Sequence, residues 1–284
     1  MLRNEVESRI MKFINIIMKK ERVYLTELYY FALSFFVYGF LGWCTEVAYA
    51  AAKQGKFVNR GFLNGPICPV YGIGVGVVVQ FLTPVENNLV LLYISSTILV
   101  TVIEGITGFL LERIFHNKWW DYSEQPLNIG GYVCVLFSLI WGVFCVLIVK
   151  IIHPLIYKVL TMIPLVLGIV VMACLAVGLL ADLYVTASGI LKMNRRLEAM
   201  EKIAAELKEL SDKVGENIYE NVMEGMEFRE EKKARIEELK AKYEEMAENR
   251  TKVGERLVKA FPKMQVGQHK EIFEELRERI KRSK

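Results

Sequence analysis

The chain has 284 residues, 53% of them hydrophobic, with 36 Lys/Arg against 32 Asp/Glu. A mean hydropathy of +0.29 excludes an evenly charged soluble domain unless the charges are segregated. They are: residues 192–284 hold 23 Lys/Arg and 21 Asp/Glu, whereas 25–191 hold 7 and 8, so the net charge of +4 describes neither part.

In chain order, residues 1–24 predict an amphipathic N-terminal segment. Leu2, Val6, Ile10, Phe13 and Ile17 share one helical face, opposite Arg9, Lys12, Lys19 and Lys20. That pattern suits a helix lying at a membrane surface or the packed end of a longer one. Lys12 interrupts the apolar IMKFINIIM and no small-residue cleavage site follows, so this is not a secretory leader pattern.

Residues 25–191 predict a transmembrane domain. Five apolar segments lie near 28–52, 67–82, 89–111, 131–152 and 162–191. A spanning helix needs about 20 apolar residues, which the first, third, fourth and fifth supply. The second, ICPVYGIGVGVVVQFL, has 16 residues, with Pro66 bounding it and Pro69 entering it. It is expected to be a short helix or a re-entrant segment, the latter tolerated only when buried in protein or lining a wet cavity. The expected fold is all-α: a polytopic transmembrane helix bundle of about five segments, with a charged C-terminal helical or coiled-coil tail. Lys and Arg near the segment ends do not settle orientation, because five crossings put the termini on opposite sides and a re-entrant second segment puts them together. The charged tail is most simply cytoplasmic, on a multi-pass protein of the cell membrane.

Residues 192–284 form that tail. Ile203, Leu207, Leu210 and Val214 make one short heptad run, and Ile236, Leu239, Tyr243 and Met246 another. Gly215, Gly225, Gly254 and Pro262 are expected to divide it into two or three helices. The tail is nearly neutral with no dense basic block, which favours helical pairing over nucleic-acid binding.

Carboxylates inside a span cost about 2.5–3.5 kcal/mol each on insertion scales. Glu46 shares a face with Gly39 and Gly42 in the first segment. Glu104 and Glu112 lie on one side of the third, about 12 Å apart along the axis. Asp182 lies near the end of the fifth. Either these acids line a polar pathway or they are neutral or hydrogen-bonded at helix contacts, with Glu112 and Asp182 expected at the interfaces. In the loop RIFHNKWWDYSEQPLNIGG, Trp119, Trp120 and Tyr122 have the character of headgroup-level anchors. Asp121 among them could pair with Arg113, Lys118 or Arg60. Cysteines 44, 68, 134, 145 and 174 show no CxxC spacing and are expected to be packing residues. No metal-ligand spacing joins His116 and His153, and no cofactor motif is present. Neither GxxxxGK[ST], GxSxG nor HExxH occurs, which lowers the prospect of nucleotide hydrolysis or nucleophilic catalysis by these residues.

Four blocks in order, FLGWCTE, NRGFLNGPICPVYGIG, EGITGFLLERIF and WWDYSEQPLNIGGYVC with LIWG, resemble a bacterial permease-like family described as Putative ABC-transporter type IV. The resemblance covers about residues 30–190 and leaves out the tail. The matching positions are Gly42, Trp43 and Glu46; then Arg60, Gly61, Asn64, Gly65, Pro66, Pro69, Tyr71 and Gly72; then Glu104 and Glu112; then Trp119, Trp120, Asp121, Tyr122, Pro126 and Asn128. It implies a permease subunit that borrows an ATPase from another chain, and it carries no catalytic assignment.

The expected site joins Glu46, Glu104, Arg60, Asn64 and Asp121. Gly42, Trp43, Gly65, Pro66, Pro69, Tyr71, Trp119, Trp120 and Tyr122 line it or pack around it. A broken helix start at 59–76 would then offer backbone groups to a ligand; the competing reading is a tight interhelical turn. The expected partners are the lipid bilayer, a separate ATPase subunit, and a helical partner or second copy met through the tail, with no nucleic acid. A scaffold or sensor acting through the tail is the second reading, and a lipid-handling intramembrane enzyme the third.

Overall fold

The computed structural model describes residues 2–220, 226–267 and 269–282, with side chains described over 17–213, 230–267 and 269–282. The fold is all-α. Four described helical stretches are long and apolar enough to cross a membrane: Ile17–Gln54, Leu89–Phe115, Val135–Leu160 and Leu165–Lys213. Their outer surfaces expose large apolar side chains, among them Val166 (75%), Val177 (69%) and Val90 (68%). An apolar surface of this extent needs a bilayer to cover it, and the protein is a membrane protein.

Helix α1 (Leu2–Gln54) runs without a break across the expected boundary at residue 24. The side chains of Leu2, Val6, Ile10 and Phe13 lie outside the described residues. A loop then leads into α2 (Pro69–Leu82), which starts with proline in its first turn and continues as a 3-10 turn over Thr83–Val85. Proline is welcome there because the first amide hydrogens of a helix have no intrahelical partner. At 14 residues α2 is about 21 Å long, short of the ~30 Å hydrocarbon core. It packs antiparallel on α1, with Gly72 against Phe35 and Gly76 against Phe31. It also runs antiparallel to α3 (Leu89–Phe115): Gly74 faces Ile103, while Val78 and Leu82 cluster with Leu92. The short segment thus starts beside Gly39, midway along the apolar part of α1, and runs from there toward the end of the bundle away from the tail.

The fourth apolar segment reaches further than the expected 131–152. Helix α4 (Val135–Leu147) passes through a π turn at Ile148–Ile152 into α5 (His153–Leu160). Pro154 has no amide hydrogen to donate and its ring crowds the preceding turn; the wider π turn accommodates it without ending the helix. Tyr38 on α1 meets His153 there, with 2.9 Å between Oη and Nδ1.

Helix α6 (Leu165–Glu220) continues from the apolar bundle into the charged tail as one rod. Gly215 therefore does not divide the tail as expected; a lone helical glycine costs only about 1 kcal/mol relative to alanine. Gly225 lies outside the described residues. Helix α7 (Met226–Glu248) turns back along α6, with Arg235 on Glu206 and the Arg196 guanidinium on the Asn249 carbonyl. Gly254 does not break a helix either: it lies in the first turn of α8 (Lys252–Ala260), where its N–H donates to the Thr251 N-cap hydroxyl. Pro262 follows α8, and α9 (Lys270–Arg282) closes the chain.

The tail folds back onto the bundle. Strand β1 (Asn117–Lys118), in the α3–α4 loop, pairs antiparallel with tail strand β4 (Gln265–Val266). A second two-stranded ribbon, β2 (Asn128–Ile129) with β3 (Val133–Cys134), closes the same loop. One apolar cluster joins Phe115 and Trp119 from the membrane region to Leu197, Leu257, Met264 and Phe273 from α6 and the tail. Fully burying a side chain such as Leu257 or Phe273 is worth about 1.5–3 kcal/mol. The tail is therefore docked, and the loops at 55–68 and 116–134 lie at its end of the bundle.

Candidate functional site

The polar candidates fall into three groups. In the first, Tyr71 at the start of α2 donates its hydroxyl to Glu46 Oε1 at 2.7 Å, and Arg60 Nη1 lies 3.5 Å from Glu46 Oε2. The Arg60 guanidinium also sits 4.9 Å above the Tyr49 ring. Gly42, one turn before Glu46, lies directly under the Tyr71 ring, and any side chain there would overlap it. Tyr71 packs edge-on against Trp141 of α4, with ring centroids 5.9 Å apart.

The second group repeats this chemistry one turn along α4. Tyr122 stacks on Phe137 at 5.0 Å and donates to Glu104 Oε1 at 3.3 Å. Burial and the charge of Glu104 push the Tyr122 phenol well above its ordinary value, so it stays a donor at any physiological pH. Glu104 Oε2 is buried and has no hydrogen-bond partner. Phe137 and Trp141 are four residues apart and share a face of α4. Two carboxylate–phenol pairs thus flank one aromatic face inside an apolar bundle.

The third group holds the loop at 55–68 together. Asn59 Oδ1 accepts from Trp43 Nε1 (2.8 Å) and from Gly61 N (3.0 Å), and Asn59 Nδ2 donates to the Asn64 carbonyl (2.7 Å). Asp182 of α6 accepts from Asn64 N (3.1 Å), Asn64 Nδ2 (2.8 Å) and Gly65 N (2.6 Å). Buried Thr186 joins this group, accepting from Asn64 Nδ2 at 3.0 Å. From the tail, Arg256 donates Nε to Asn64 Oδ1 (3.0 Å), Nη1 to the Gly61 carbonyl (2.8 Å) and Nη2 to the Phe62 carbonyl (2.9 Å). Cys68 N donates to the Gly39 carbonyl at 2.9 Å. The backbone groups of this helix-poor stretch meet the chain itself, in the manner of a tight interhelical turn. Pro66 is exposed and Pro69 opens α2.

The structure thus separates residues that were expected in one pocket. Glu46 and Arg60 stay together with Tyr71, and Glu104 pairs with Tyr122. Asn64 goes instead to Asp182 and Arg256. Asp121 stays with its own loop: it accepts from the Ser123 N–H and lies 3.1 Å from Lys118 Nζ, while the tail's Gln265 donates to its other oxygen at 3.0 Å. Trp119 is not a headgroup anchor. It is 4% exposed, edge-on between Phe62 and Phe261 of the tail, each 5.2 Å away. Trp120 donates to the Tyr132 carbonyl at 2.8 Å. The five cysteines are free thiols, three of them buried.

Sequence reasoning missed Asn59 and Arg256 and placed Asp182 at an interface without its partners. Asn59 had a local signal, an Asn two residues before a Gly at a helix-free stretch, where a side-chain turn is expected. Arg256 had none, because its partners are almost two hundred residues away.

No match is found among curated proteins, and none among solved structures. The family model described as Putative ABC-transporter type IV matches residues 33–187, more than half of the chain and all five apolar helices of the bundle up to the Asp182 cluster, and the chain belongs to that family.

Proposed function

We propose that this chain is the membrane-embedded permease subunit of a transport system, with its ATPase on a separate chain. One observation carries the reading: two carboxylate–phenol pairs, Glu46–Tyr71 and Glu104–Tyr122, lie on one aromatic face inside the bundle, with Glu104 Oε2 buried and unpartnered. Acidic groups held inside an apolar bundle mark substrate or ion pathways. The family match supports the same direction, and the sequence contains no phosphate-cradling GxxxxGK[ST] loop.

In this reading all five apolar segments cross, the second as its entry loop and α2 together, and the tail end of the bundle is cytoplasmic. That end carries Lys53, Lys56, Arg60, Arg113, Lys118, Lys192, Arg195 and Arg196; the opposite end then carries as many, Arg3, Arg9, Lys12, Lys19, Lys20, Arg22, Lys150 and Lys158, so the orientation rests on the large charged tail and not on the Lys/Arg balance. The docked tail belongs to the permease, and its outer charged face is the surface for a cytoplasmic partner. A scaffold with a free recruiting arm fits less well, because β4, α8 and α9 are spent on contacts with the bundle loops.

The test is co-purification from native membrane, wild type against Glu46→Gln/Glu104→Gln, with mass spectrometry of bound proteins and lipids. An ATPase subunit retained by both forms, with uptake lost only in the double variant, supports the proposal. Absence of any ATPase, or uptake unaffected by both substitutions, overturns it.

A further inference from the structure

Between the end of α1 and the docked tail lies a cleft of about 610 Å³. Its walls carry Lys56, Lys252, Arg256, Lys259, Arg277 and Lys281, with Glu255 as the carboxylate among them, and Lys281 is paired with Glu278 at 2.6 Å. Glu255 is already shared, 3.6 Å from Arg250 and 3.9 Å from Lys259. Each of the three guanidinium nitrogens of Arg256 donates to a neutral oxygen, of Asn64, Gly61 and Phe62, rather than to a carboxylate. Arg277 holds Glu274 and the Met264 carbonyl, yet its Nε is buried without a partner. Positive charge concentrated in a cleft with protein walls focuses the potential on whatever enters.

The position narrows the ligand. The cleft opens where the apolar part of α1 ends, and Phe57, 70% exposed, stands on its rim beside Lys56. An exposed apolar ring next to cations suits the membrane–water interface, where the ring enters the acyl boundary and the cations stay among the headgroups. The volume lies in the range of small-molecule sites and exceeds what a bare phosphate fills. Basic pockets at this level suit anionic headgroups.

We infer that this cleft binds a phosphate-bearing anion, the headgroup of an anionic phospholipid being the source its position favours, and that the bound anion bridges the loop after α1 to helices α8 and α9. This inference stands apart from transport and from the carboxylate pairs. It concerns the seam that Arg256 already bridges, and an anion there would strengthen the tail's hold.

The experiment uses full-length protein in zwitterionic detergent, titrated with phosphatidylglycerol, with phosphatidylcholine as comparison and inorganic pyrophosphate as the soluble anion. Bound ligand is read by native mass spectrometry. Lys252 and Lys259 are exposed, so Lys252→Gln/Lys259→Gln spares the fold; Lys240→Gln/Lys242→Gln makes the same charge change on the outer face of α7. Phosphatidylglycerol should bind in preference to phosphatidylcholine, and the cleft variant should weaken it about fivefold for each lysine removed. The α7 variant should bind like wild type. Pyrophosphate binding that is lost in the cleft variant, without lipid preference, keeps the site and assigns it to a soluble anion. Equal loss in both variants, or no anion preference at all, overturns the inference.

Discussion

Arg256 in the tail and Asn64 in the loop after α1 are 192 residues apart and joined by a 3.0 Å hydrogen bond. Asn64 presents its amide oxygen to Arg256 and its amide nitrogen to Asp182, 2.8 Å away. One neutral side chain thus connects a tail cation to a carboxylate on α6, each end matched to the charge it faces. An amide does this better than an acid or a base, which would satisfy one neighbour and repel the other.

The first prediction concerns the tail lock. Arg256→Lys keeps the charge but loses the three-pronged fork, leaving carbonyls of Gly61 and Phe62 without donors. Each buried acceptor left unpaired costs about 1–3 kcal/mol. The melting temperature in detergent should fall, and limited proteolysis should cut the tail faster than in wild type. Unchanged cleavage of α8 and α9 would count against a lock.

Asp182→Asn tests the other end. The substituted amide keeps one acceptor where the carboxylate uses two against Asn64 and Gly65. A loss of about 2 kcal/mol is expected, since bonds to a charged acceptor are the stronger kind. Because both substitutions act through Asn64, the double variant Asp182→Asn/Arg256→Lys should cost less than the sum of the singles, with a coupling of about 0.5–3 kcal/mol in chemical denaturation. Simple additivity would show that the relay is not one unit.

Two glycines in apolar helices should respond in opposite ways. A methyl at Gly42 overlaps the Tyr71 ring, so Gly42→Ala must displace Tyr71 from Glu46 and is expected to destabilise by about 1–3 kcal/mol. Nothing lies within 4 Å of a methyl at Gly178. Gly178→Ala should be neutral or stabilise by up to about 1 kcal/mol through helix propensity. Paired thermal melts decide this.

Asp121 supplies a pH signature. Burial opposes its charge, but hydrogen bonds from Ser123 and the nearby Lys118 ammonium outweigh that and lower its pKa from 3.8 to about 2. A folded pKa below the unfolded one gives stability that is complete above about pH 4 and is lost as pH falls toward 2. The difference in melting temperature between wild type and Asp121→Asn should therefore stay constant from neutral pH to about 4 and shrink below it. A difference that grows on acidification would contradict the assigned contacts.

Much of the architecture was readable along the chain because membrane helices announce themselves locally. Long apolar runs, prolines at 66 and 69, and the fall in hydropathy after residue 191 depend on composition over short windows. The carboxylates at 46 and 104 were conspicuous for the same reason, since charge is rare in such runs. Their phenolic partners Tyr71 and Tyr122 were among the candidates, but not as partners, because pairing depends on how helices face one another.

By itself the sequence determined an all-α membrane protein with a charged helical tail, and it marked the acids and the helix-breaking loop as unusual. Only the tertiary structure decided that the tail docks, that α2 starts beside Gly39 and runs antiparallel to both α1 and α3, and that Asn64 belongs with Asp182 and Arg256 rather than with Glu46. The physical reason is range. Hydropathy and helix-breaking residues act over a few turns, whereas a guanidinium finds its carbonyls by shape and direction, and any exposed arginine reads alike until the chain has folded around it.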